Sequence, residues 1–172
     1  PQSTETADLQ YPSGSTRFPR GVMVSEAAVM HNLAGIIKDG LKVRNGDRCV
    51  SWLPYYHDMG LIGFVLAPLA AQLSVDFLST RDFAMRPRLW LSLMTRNQGT
   101  ISFGPPFGYD LCSRRIRQNE TESFDLSTWR VAGVGAETIR PEVLEAFAER
   151  LAPFGFNPLA FVASYGMAEC SL

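Results

Sequence analysis

Short apolar runs alternate with helix-like segments along nearly the whole chain, and this alternation limits the folds that the chain can adopt. The runs lack a clean alternation of apolar and polar positions. Strands of that kind are usually covered on both faces, as in a parallel sheet between helices. We therefore predict an α/β fold, a three-layer α/β/α arrangement with a mainly parallel sheet. The predicted strands are residues 9–11, 49–53, 75–78, 100–103, 129–134 and 159–163.

Capping residues and prolines mark the ends of the intervening helices. Ser25 can cap a helix N-terminus, with Glu26 in the first turn at the positive end of the helix dipole. Pro68 should end or kink the helix predicted over residues 60–72, because proline lacks the N–H that an interior turn needs. Prolines instead suit the first turn of the helices predicted from residues 87, 106 and 141.

Composition describes a folded protein without a strongly charged surface. The chain has 172 residues, of which 46% are hydrophobic, enough for a domain with a core. Its net charge of −1 gives no basic surface for nucleic acid, and no apolar run is long enough to span a bilayer. The three cysteines are dispersed without metal-ligand spacing, so we expect a reduced, cytoplasmic protein. A start at Pro1 and a stop just after a dense motif lead us to expect a piece of a longer protein.

A glycine-rich loop over residues 11–22 has the chemistry to bind phosphate. Glycine lets backbone N–H groups turn toward an anion, hydroxyls donate to phosphate oxygens, and arginine adds charge-assisted hydrogen bonds. A Gly-Lys-Ser/Thr tripeptide is absent, so this is not a Walker loop, and a plain polar turn is the alternative. The candidate residues are Ser13, Gly14, Ser15, Thr16, Arg17 and Arg20.

Four loops follow predicted strands. They are residues 12–21, 54–60, 135–140 and 164–169. In a parallel α/β sheet, ligands collect at the carboxyl ends of the strands. We therefore expect all four loops to lie at one edge of the sheet, which strengthens the phosphate interpretation of the first.

The loop over residues 54–60 combines aromatic bulk, an imidazole and a carboxylate. His57 can guide or neutralise a substrate carboxylate, while Tyr55, Tyr56 and Met59 line an apolar pocket. The alternative is that His57 and Asp58 only cap the helix that follows.

The two remaining loops can bind a flat ring and a metal. The run Gly133-Val-Gly-Ala-Glu-Thr-Ile139 lacks the third glycine of a dinucleotide fingerprint. A tight turn whose backbone lies along a ring fits it better, and Tyr165 offers a stacking surface. Glu169 can hold Mg²⁺, a cation bound through one or two carboxylates plus substrate phosphates, or it is simply solvated.

The glycine-rich loop resembles the phosphate loop of the adenylate-forming (acyl-activating, AMP-binding) superfamily. That pattern is roughly Tyr-Thr-Ser-Gly-Ser-Thr-Gly-x-Pro-Lys-Gly-Val, and the chain departs from it at Pro12, Arg17 and Arg20. Arg20 keeps the charge of the lysine with a different shape, and Pro12 removes a hydroxyl and a backbone donor.

The other loops resemble later motifs of the same superfamily in the correct order. Residues 52–61 are similar to its next core motif, and residues 135–137 to its adenine-binding motif. Residues 164–169 are similar to its Tyr-Gly-x-Thr-Glu motif, with Ala168 in place of threonine. Together with Arg17, the run Leu-Pro-Tyr-Tyr-His-Asp-Met-Gly-Leu and the form Tyr-Gly-Met-Ala-Glu resemble the fatty acyl-AMP ligase branch.

The resemblance implies an enzyme that uses ATP to convert a fatty acid into an acyl-adenylate. The acyl group is then expected to pass to the phosphopantetheine of an acyl carrier protein or of a polyketide or peptide synthase module. Residues 13–16 with Arg17 and Arg20 are implied to contact the phosphates, Glu169 with Thr16 to bind Mg²⁺, and His57 to border the acyl carboxylate. The residues implied to frame adenine are Gly135, Ala136, Glu137, Ser164, Tyr165, Gly166 and Met167.

Two other functions stay open at this point. A long-chain acyl-coenzyme A ligase is the nearest, and a non-catalytic nucleotide-binding or scaffolding homologue is the second, to which Pro12 lends weight. The resemblance also implies that residues 1–172 are a fragment of the N-terminal domain, without the upstream subdomain and the C-terminal domain. We therefore expect the isolated chain to be inactive.

Overall fold

The structure is a computed structural model that describes residues 4–11, 21–116, 124–167 and 170. These residues form two compact units. The first, which we call the hairpin unit, contains the described residues of Pro1–Arg44, Tyr55–Gln72 and Gly166–Leu172. The second, the sheet unit, contains the described residues of Asn45–Pro54 and Leu73–Tyr165.

The hairpin unit begins with two strands, β1 (Thr6–Gln10) and β2 (Val22–Ser25), which pair antiparallel. The expectation that the first strand belongs to the parallel sheet is therefore wrong, because β1 and β2 make a separate two-stranded sheet. A parallel connection needs a crossover of about a dozen residues or more, usually a helix, whereas an antiparallel pair can be joined by a shorter segment.

Helix α1 (Glu26–Gly35) follows β2 and begins as the sequence predicts. The Ser25 hydroxyl oxygen accepts a hydrogen bond from the Ala28 N–H at 3.2 Å, and Glu26 lies in the first turn. This cap satisfies one of the N–H groups that have no partner inside the helix. The helix continues into a π-helical turn over Ile36–Gly40.

A second helical stretch of this unit runs through Pro68 without ending there. It consists of α2 (Asp58–Leu61), a π-helical turn over Ile62–Leu66, and α3 (Ala67–Ala71). The wider turn comes before the proline, so Pro68 lies in the first turn of α3, where a missing N–H is tolerated. The apolar core of the unit consists of Val24, Val29, Leu33, Ile62 and Ala67.

The sheet unit contains five strands, all parallel, in the order β4-β3-β5-β6-β7. The mainly parallel sheet predicted from the apolar runs is thus confirmed, and the fold is α/β. Strand order reverses between β3 and β5, because β4 lies on one side of β3 and all later strands lie on the other. The strands are β3 (Arg48–Ser51), β4 (Ser74–Phe77), β5 (Ile101–Gly104), β6 (Val131–Val134) and β7 (Phe161–Ala163).

Four α-helices lie in the described part of the sheet unit, between β4 and β7 along the chain. Prolines lie in the first turn of α6 and α7 as predicted, whereas Pro87 is the residue just before α5. Helix α4 was not expected; its cap is the hydroxyl of Ser79, which accepts from the Asp82 N–H at 3.0 Å. No helix in the described part of the chain is long and apolar enough to cross a membrane. The helices are α4 (Thr80–Met85), α5 (Arg88–Arg96), α6 (Pro106–Arg115) and α7 (Pro141–Leu151).

Aromatic side chains fill the core of the sheet unit, and hydrogen bonds pair the indole of Trp90 across it. The Trp90 indole N–H donates to the Ser102 hydroxyl at 2.8 Å, and that hydroxyl donates to the Val50 carbonyl at 2.6 Å. Because all three residues are fully buried, these hydrogen bonds spare the core an unsatisfied polar group. They also attach α5 to strands β3 and β5.

At the amino end of the sheet, one buried carboxylate joins three strands. Asp47 precedes β3, Thr100 precedes β5, and Arg130 precedes β6. The Thr100 hydroxyl donates to Asp47 Oδ1 at 2.9 Å, the Arg130 Nε–H donates to the same oxygen at 2.8 Å, and Arg130 Nη2 bonds Asp47 Oδ2. Only 4% of the Asp47 side chain is exposed, so this ion pair is shielded from water and salt.

We expect Asp47→Ala to destabilise the protein by about 3 kcal/mol, because it leaves Arg130 without its buried counter-charge. A urea titration that monitors unfolding of the protein containing this chain measures the loss of unfolding free energy. Asp110→Ala is the matched control: it removes an exposed pair with Arg114, which should cost less than about 1 kcal/mol. Equal losses in the two variants would contradict a special role for Asp47.

Candidate functional site

The carboxyl ends of β6 and β7 lie against each other through Ser164. The Ser164 N–H donates to the Val134 carbonyl at 2.8 Å, and the Ser164 hydroxyl donates to the same oxygen at 3.2 Å. Gly135 is buried beneath this contact: a Cβ there would lie 2.5 Å from Ser164 Oγ and 2.6 Å from the Ser164 carbonyl oxygen. Only glycine therefore fits at position 135.

The chain turns sharply after Gly135 and exposes its backbone. Ala136 has a φ of 68°, the left-handed region that residues with a side chain rarely adopt. Ala136, Glu137 and Thr138 are all exposed. Strained, exposed backbone next to a strand end is typical of ligand-binding turns, and a flat ring can lie along it.

Glu137 joins this turn to the helix that follows β5. Its carboxylate oxygen Oε1 accepts a hydrogen bond from the Phe107 N–H at 2.8 Å, in the first turn of α6. The Phe107 ring in turn makes an edge contact with Trp52, just beyond β3, with 5.8 Å between the ring centroids. Loops after three strands are thus connected at the carboxyl end of the sheet.

Sequence reasoning missed the residues around Trp52. Its indole stacks on Phe83 at 3.7 Å between centroids, and a Cβ on Gly108 would lie 2.6 Å from the indole. The indole N–H is buried and has no hydrogen-bond partner among the described residues. The signal available in the sequence was Gly104-Pro-Pro at a strand end, close to where strand order reverses and ligands commonly bind.

Tyr165 follows Ser164 and is open to solvent. Its side chain is 86% exposed, so a ring has room to stack on it. Gly166 and Met167 belong to the hairpin unit, where the Met167 carbonyl accepts from the Cys170 N–H at 2.9 Å. Of the residues implied to frame adenine, the structure therefore brings Gly135, Ala136, Glu137, Ser164 and Tyr165 together in the sheet unit.

His57 caps α2 in the hairpin unit. Its Nδ1 lies 3.3 Å from the Met59 N–H and 2.7 Å from Asp58 Oδ1, which itself accepts from the Met59 N–H at 2.9 Å. When Nδ1 carries a proton, in the imidazolium or in the neutral Nδ1–H tautomer, it donates to Asp58, whereas an Nδ1 without a proton accepts from the Met59 N–H. The hydrogen bond to Asp58 raises the pKa of His57 despite partial burial, and the same bond lowers the pKa of Asp58. The structure thus shows that His57 caps the helix; whether it also contacts a substrate stays a prediction.

The expected phosphate and metal residues lie outside the described part of the chain. These residues therefore add no distances or contacts to the candidate site. Among the residues that the structure describes, no group of three metal-ligating side chains occurs. The residues concerned are Ser13, Gly14, Ser15, Thr16, Arg17, Arg20 and Glu169.

The cysteines take no part in the candidate site. All three are free thiols: Cys49 and Cys112 are buried, and Cys170 is exposed. Burial, reinforced by the nearby Asp47 carboxylate, raises the pKa of Cys49 to about 12, and burial also raises the pKa of Cys112. Both buried thiols therefore stay protonated and unreactive at neutral pH.

Comparison with known proteins connects this geometry to one family. Residues 1–172 match the family model described as AMP-binding enzyme. A Caulobacter vibrioides protein named as a candidate acyl-CoA synthetase is 55% identical over 164 residues, which is 95% of this chain and 29% of the relative. The medium-chain-fatty-acid–acyl-carrier-protein ligase JamA of Moorena producens is 38% identical over 170 residues, 99% of this chain and 28% of that protein.

The backbone is also similar to that of solved structures. One, from a study of fatty acyl-adenylate ligases of E. coli and L. pneumophila, matches with a TM-score of 0.91 and 58% identity. The match covers 95% of this chain and 30% of that chain. The chain therefore spans about three tenths of the length of the proteins that it resembles.

We expect Gly135→Ala to distort the turn after β6 and to weaken any ligand that binds there. The new Cβ would collide with the backbone carbonyl of Ser164, which cannot rotate away as a side chain can. Ligand affinity and unfolding midpoint of the protein containing this chain are the measurements. Gly63→Ala is the control, because its Cβ would have nothing within 4 Å and lies in helical backbone; it should leave both values unchanged or slightly raise stability. An unaltered Gly135→Ala protein would refute the packing constraint.

We expect the pKa of His57 to lie above its ordinary value of about 6.5 and to fall in Asp58→Asn. The raised pKa of His57 means that its stabilising contribution disappears as pH rises through that pKa. The lowered pKa of Asp58 means that the stabilising contribution of Asp58 disappears as pH falls through the pKa of Asp58 in the folded protein. The ion pair therefore stabilises the protein at pH values between the pKa of Asp58 and the pKa of His57. Exchange of the His57 ring C–H, followed by mass spectrometry over pH, measures the shift; Asp39→Asn, at an exposed carboxylate of the same unit, should leave it unchanged.

Proposed function

Because this chain belongs to the AMP-binding enzyme family, we propose that the protein containing it is a fatty acyl-AMP ligase. A fatty-acid carboxylate oxygen attacks the α-phosphate of ATP, and the bond to the bridging oxygen breaks to give acyl-adenylate and pyrophosphate. One observation carries the proposal: four motif loops occur in family order on a backbone with a TM-score of 0.91 to a structure from a study of fatty acyl-adenylate ligases.

The turn after β6 is the proposed adenine site. Its exposed backbone at Ala136 and the open ring of Tyr165 provide an edge and a face for a flat base. Ser164 holds the two loops together, and Gly166 and Met167 extend the same motif. Purine recognition by backbone and stacking needs little charge of its own.

The glycine-rich loop is the proposed phosphate site. Residues 13–16 offer hydroxyl and backbone donors, and Arg17 and Arg20 neutralise the charge that builds up as two anions approach each other. A carboxylate with a hydroxyl is a donor set that suits Mg²⁺, so Glu169 and Thr16 are the residues that would hold it. When bound, Mg²⁺ supplies positive charge to the phosphates.

His57 is the proposed neighbour of the fatty-acid carboxylate. Its raised pKa favours the imidazolium form, which attracts an anion. Asp58 partly neutralises the imidazolium charge of His57. We therefore assign His57 the role of orienting the fatty-acid carboxylate and offsetting its negative charge, and not the role of a proton donor. The exposed rings of Tyr55 and Tyr56, in edge contact at 5.7 Å, offer apolar surface for the acyl chain.

We further propose that the chain is part of a larger adenylating domain and that the product passes to a carrier protein. The share of the relatives that it covers supports the first point, and the printed name of JamA, an acyl-carrier-protein ligase, supports the second. A polyketide or peptide synthase module is the form that such a carrier would take. Three free cysteines, two of them buried, are consistent with a reducing compartment such as the cytoplasm.

An acyl-coenzyme A ligase is the second candidate, favoured by the printed name of the Caulobacter relative. The two candidates share the adenylation step and differ in the acceptor. Arg17 and the form Tyr-Gly-Met-Ala-Glu over residues 165–169 support the acyl-AMP ligase.

Full-length enzyme, ATP, Mg²⁺ and a fatty acid should yield pyrophosphate and acyl-adenylate. Arg20→Ala and Glu169→Ala should each lower kcat/KM at least ~100-fold, the scale seen when one transition-state charge partner is lost. Adding coenzyme A should give little acyl-coenzyme A, whereas a phosphopantetheinylated carrier protein should be acylated. Product identity is measured by mass spectrometry.

Three results would count against the proposal. Rapid formation of acyl-coenzyme A would favour the second candidate. A wild-type enzyme that forms no acyl-adenylate, and that Arg20→Ala and Glu169→Ala leave unchanged in its cellular function, would indicate a scaffolding homologue. Pyrophosphate release by the isolated 172-residue chain would show that the segments outside it are dispensable.

A further inference from the structure

We propose that Glu137 is a positioning residue: its carboxylate caps α6 and thereby holds the turn at Ala136 in the conformation that accepts the nucleotide base. This role rests on the proposed function, since it concerns the same adenine site. In this role Glu137 acts by fixing the backbone of its own turn and does not touch the base.

The first turn of α6 needs a cap that its own sequence does not provide. The helix is preceded by Pro105 and begins with Pro106, and no side chain near its start accepts from its N–H groups. Both prolines lack an N–H, so Phe107 carries the first donor of the helix. Glu137, thirty residues later in the chain, accepts that hydrogen bond at 2.8 Å. Its negative charge also lies at the positive end of the helix dipole.

The turn at Ala136 is strained and is held from both sides. On one side Gly135 is packed beneath Ser164, leaving no room for a side chain. On the other side Glu137 is attached to Phe107. Left-handed backbone at a residue with a Cβ persists only where its surroundings enforce it. Releasing Glu137 removes one of the two constraints and lets Ala136 relax to ordinary backbone angles.

The anchor at Phe107 is rigid enough to transmit this constraint. Its ring lies edge-on to the buried Trp52, which stacks on Phe83. Gly108, the next residue of α6, lies so close to Trp52 that no Cβ fits there. The N-terminus of α6 is therefore fixed against the core, and the hydrogen bond fixes the turn against α6.

The test uses the full-length enzyme with Glu137→Ala, Glu137→Gln and the control Glu145→Ala, an exposed glutamate on α7. Hydrogen exchange at the Phe107 amide is measured without nucleotide, and KM for ATP and kcat are measured separately. Glu137→Ala should speed exchange and raise KM for ATP about five- to tenfold, the scale of a lost helix cap, with a smaller change in kcat. Glu137→Gln should restore much of both, because the amide oxygen still accepts. Glu145→Ala should change neither.

Three outcomes would overturn the assignment. A higher KM for ATP with unchanged exchange at Phe107 would mean that Glu137 touches the nucleotide directly. Faster exchange with an unchanged KM would mean that the cap serves stability alone. A wild-type enzyme without adenylating activity would overturn the proposed function and this role with it, while the exchange at Phe107 would still report on the cap.

Discussion

The carboxylate of Asp47 holds the amino ends of three neighbouring strands together. Parallel strands receive no help from tight hairpins, so their alignment depends on side-chain contacts between segments far apart in sequence. Asp47 meets Thr100 and Arg130 just before β3, β5 and β6 begin, in surroundings that exclude water. This buried pair is costly to desolvate and costly to break, so it favours one register of the sheet over its alternatives.

With the amino ends aligned, the carboxyl ends present their loops side by side. Ser164 bridges the loops after β6 and β7, and Glu137 bridges the turn after β6 to the helix after β5. The outcome is a surface of exposed backbone beside an exposed aromatic ring, held by short polar contacts and by the packing of α6 against the aromatic core. In the proposed adenine site, a surface already held in place loses less entropy when a base binds.

Local chemistry explains most of what was predicted correctly. Ser25 caps α1 and Pro141 begins α7 because each acts within one helical turn of its own position. The prediction that was wrong involves a partner elsewhere, namely the pairing of β1 with β2, and the helix near Pro68 does not end there because a π-helical turn precedes the proline. Helix α4 was overlooked because it is only six residues long and has one buried position, Phe83.

The amino-acid sequence alone established the α/β class, the family resemblance and the residue types of the candidate site, because apolar patterning and motif order are properties of the chain read in one direction. It could not show that Gly135 is required by Ser164, or that Glu137 serves a helix begun by two prolines thirty residues earlier. Those contacts exist only after separate strands have been placed side by side. Hydrogen bonds and close packing act over a few ångströms in space, whatever the separation along the chain.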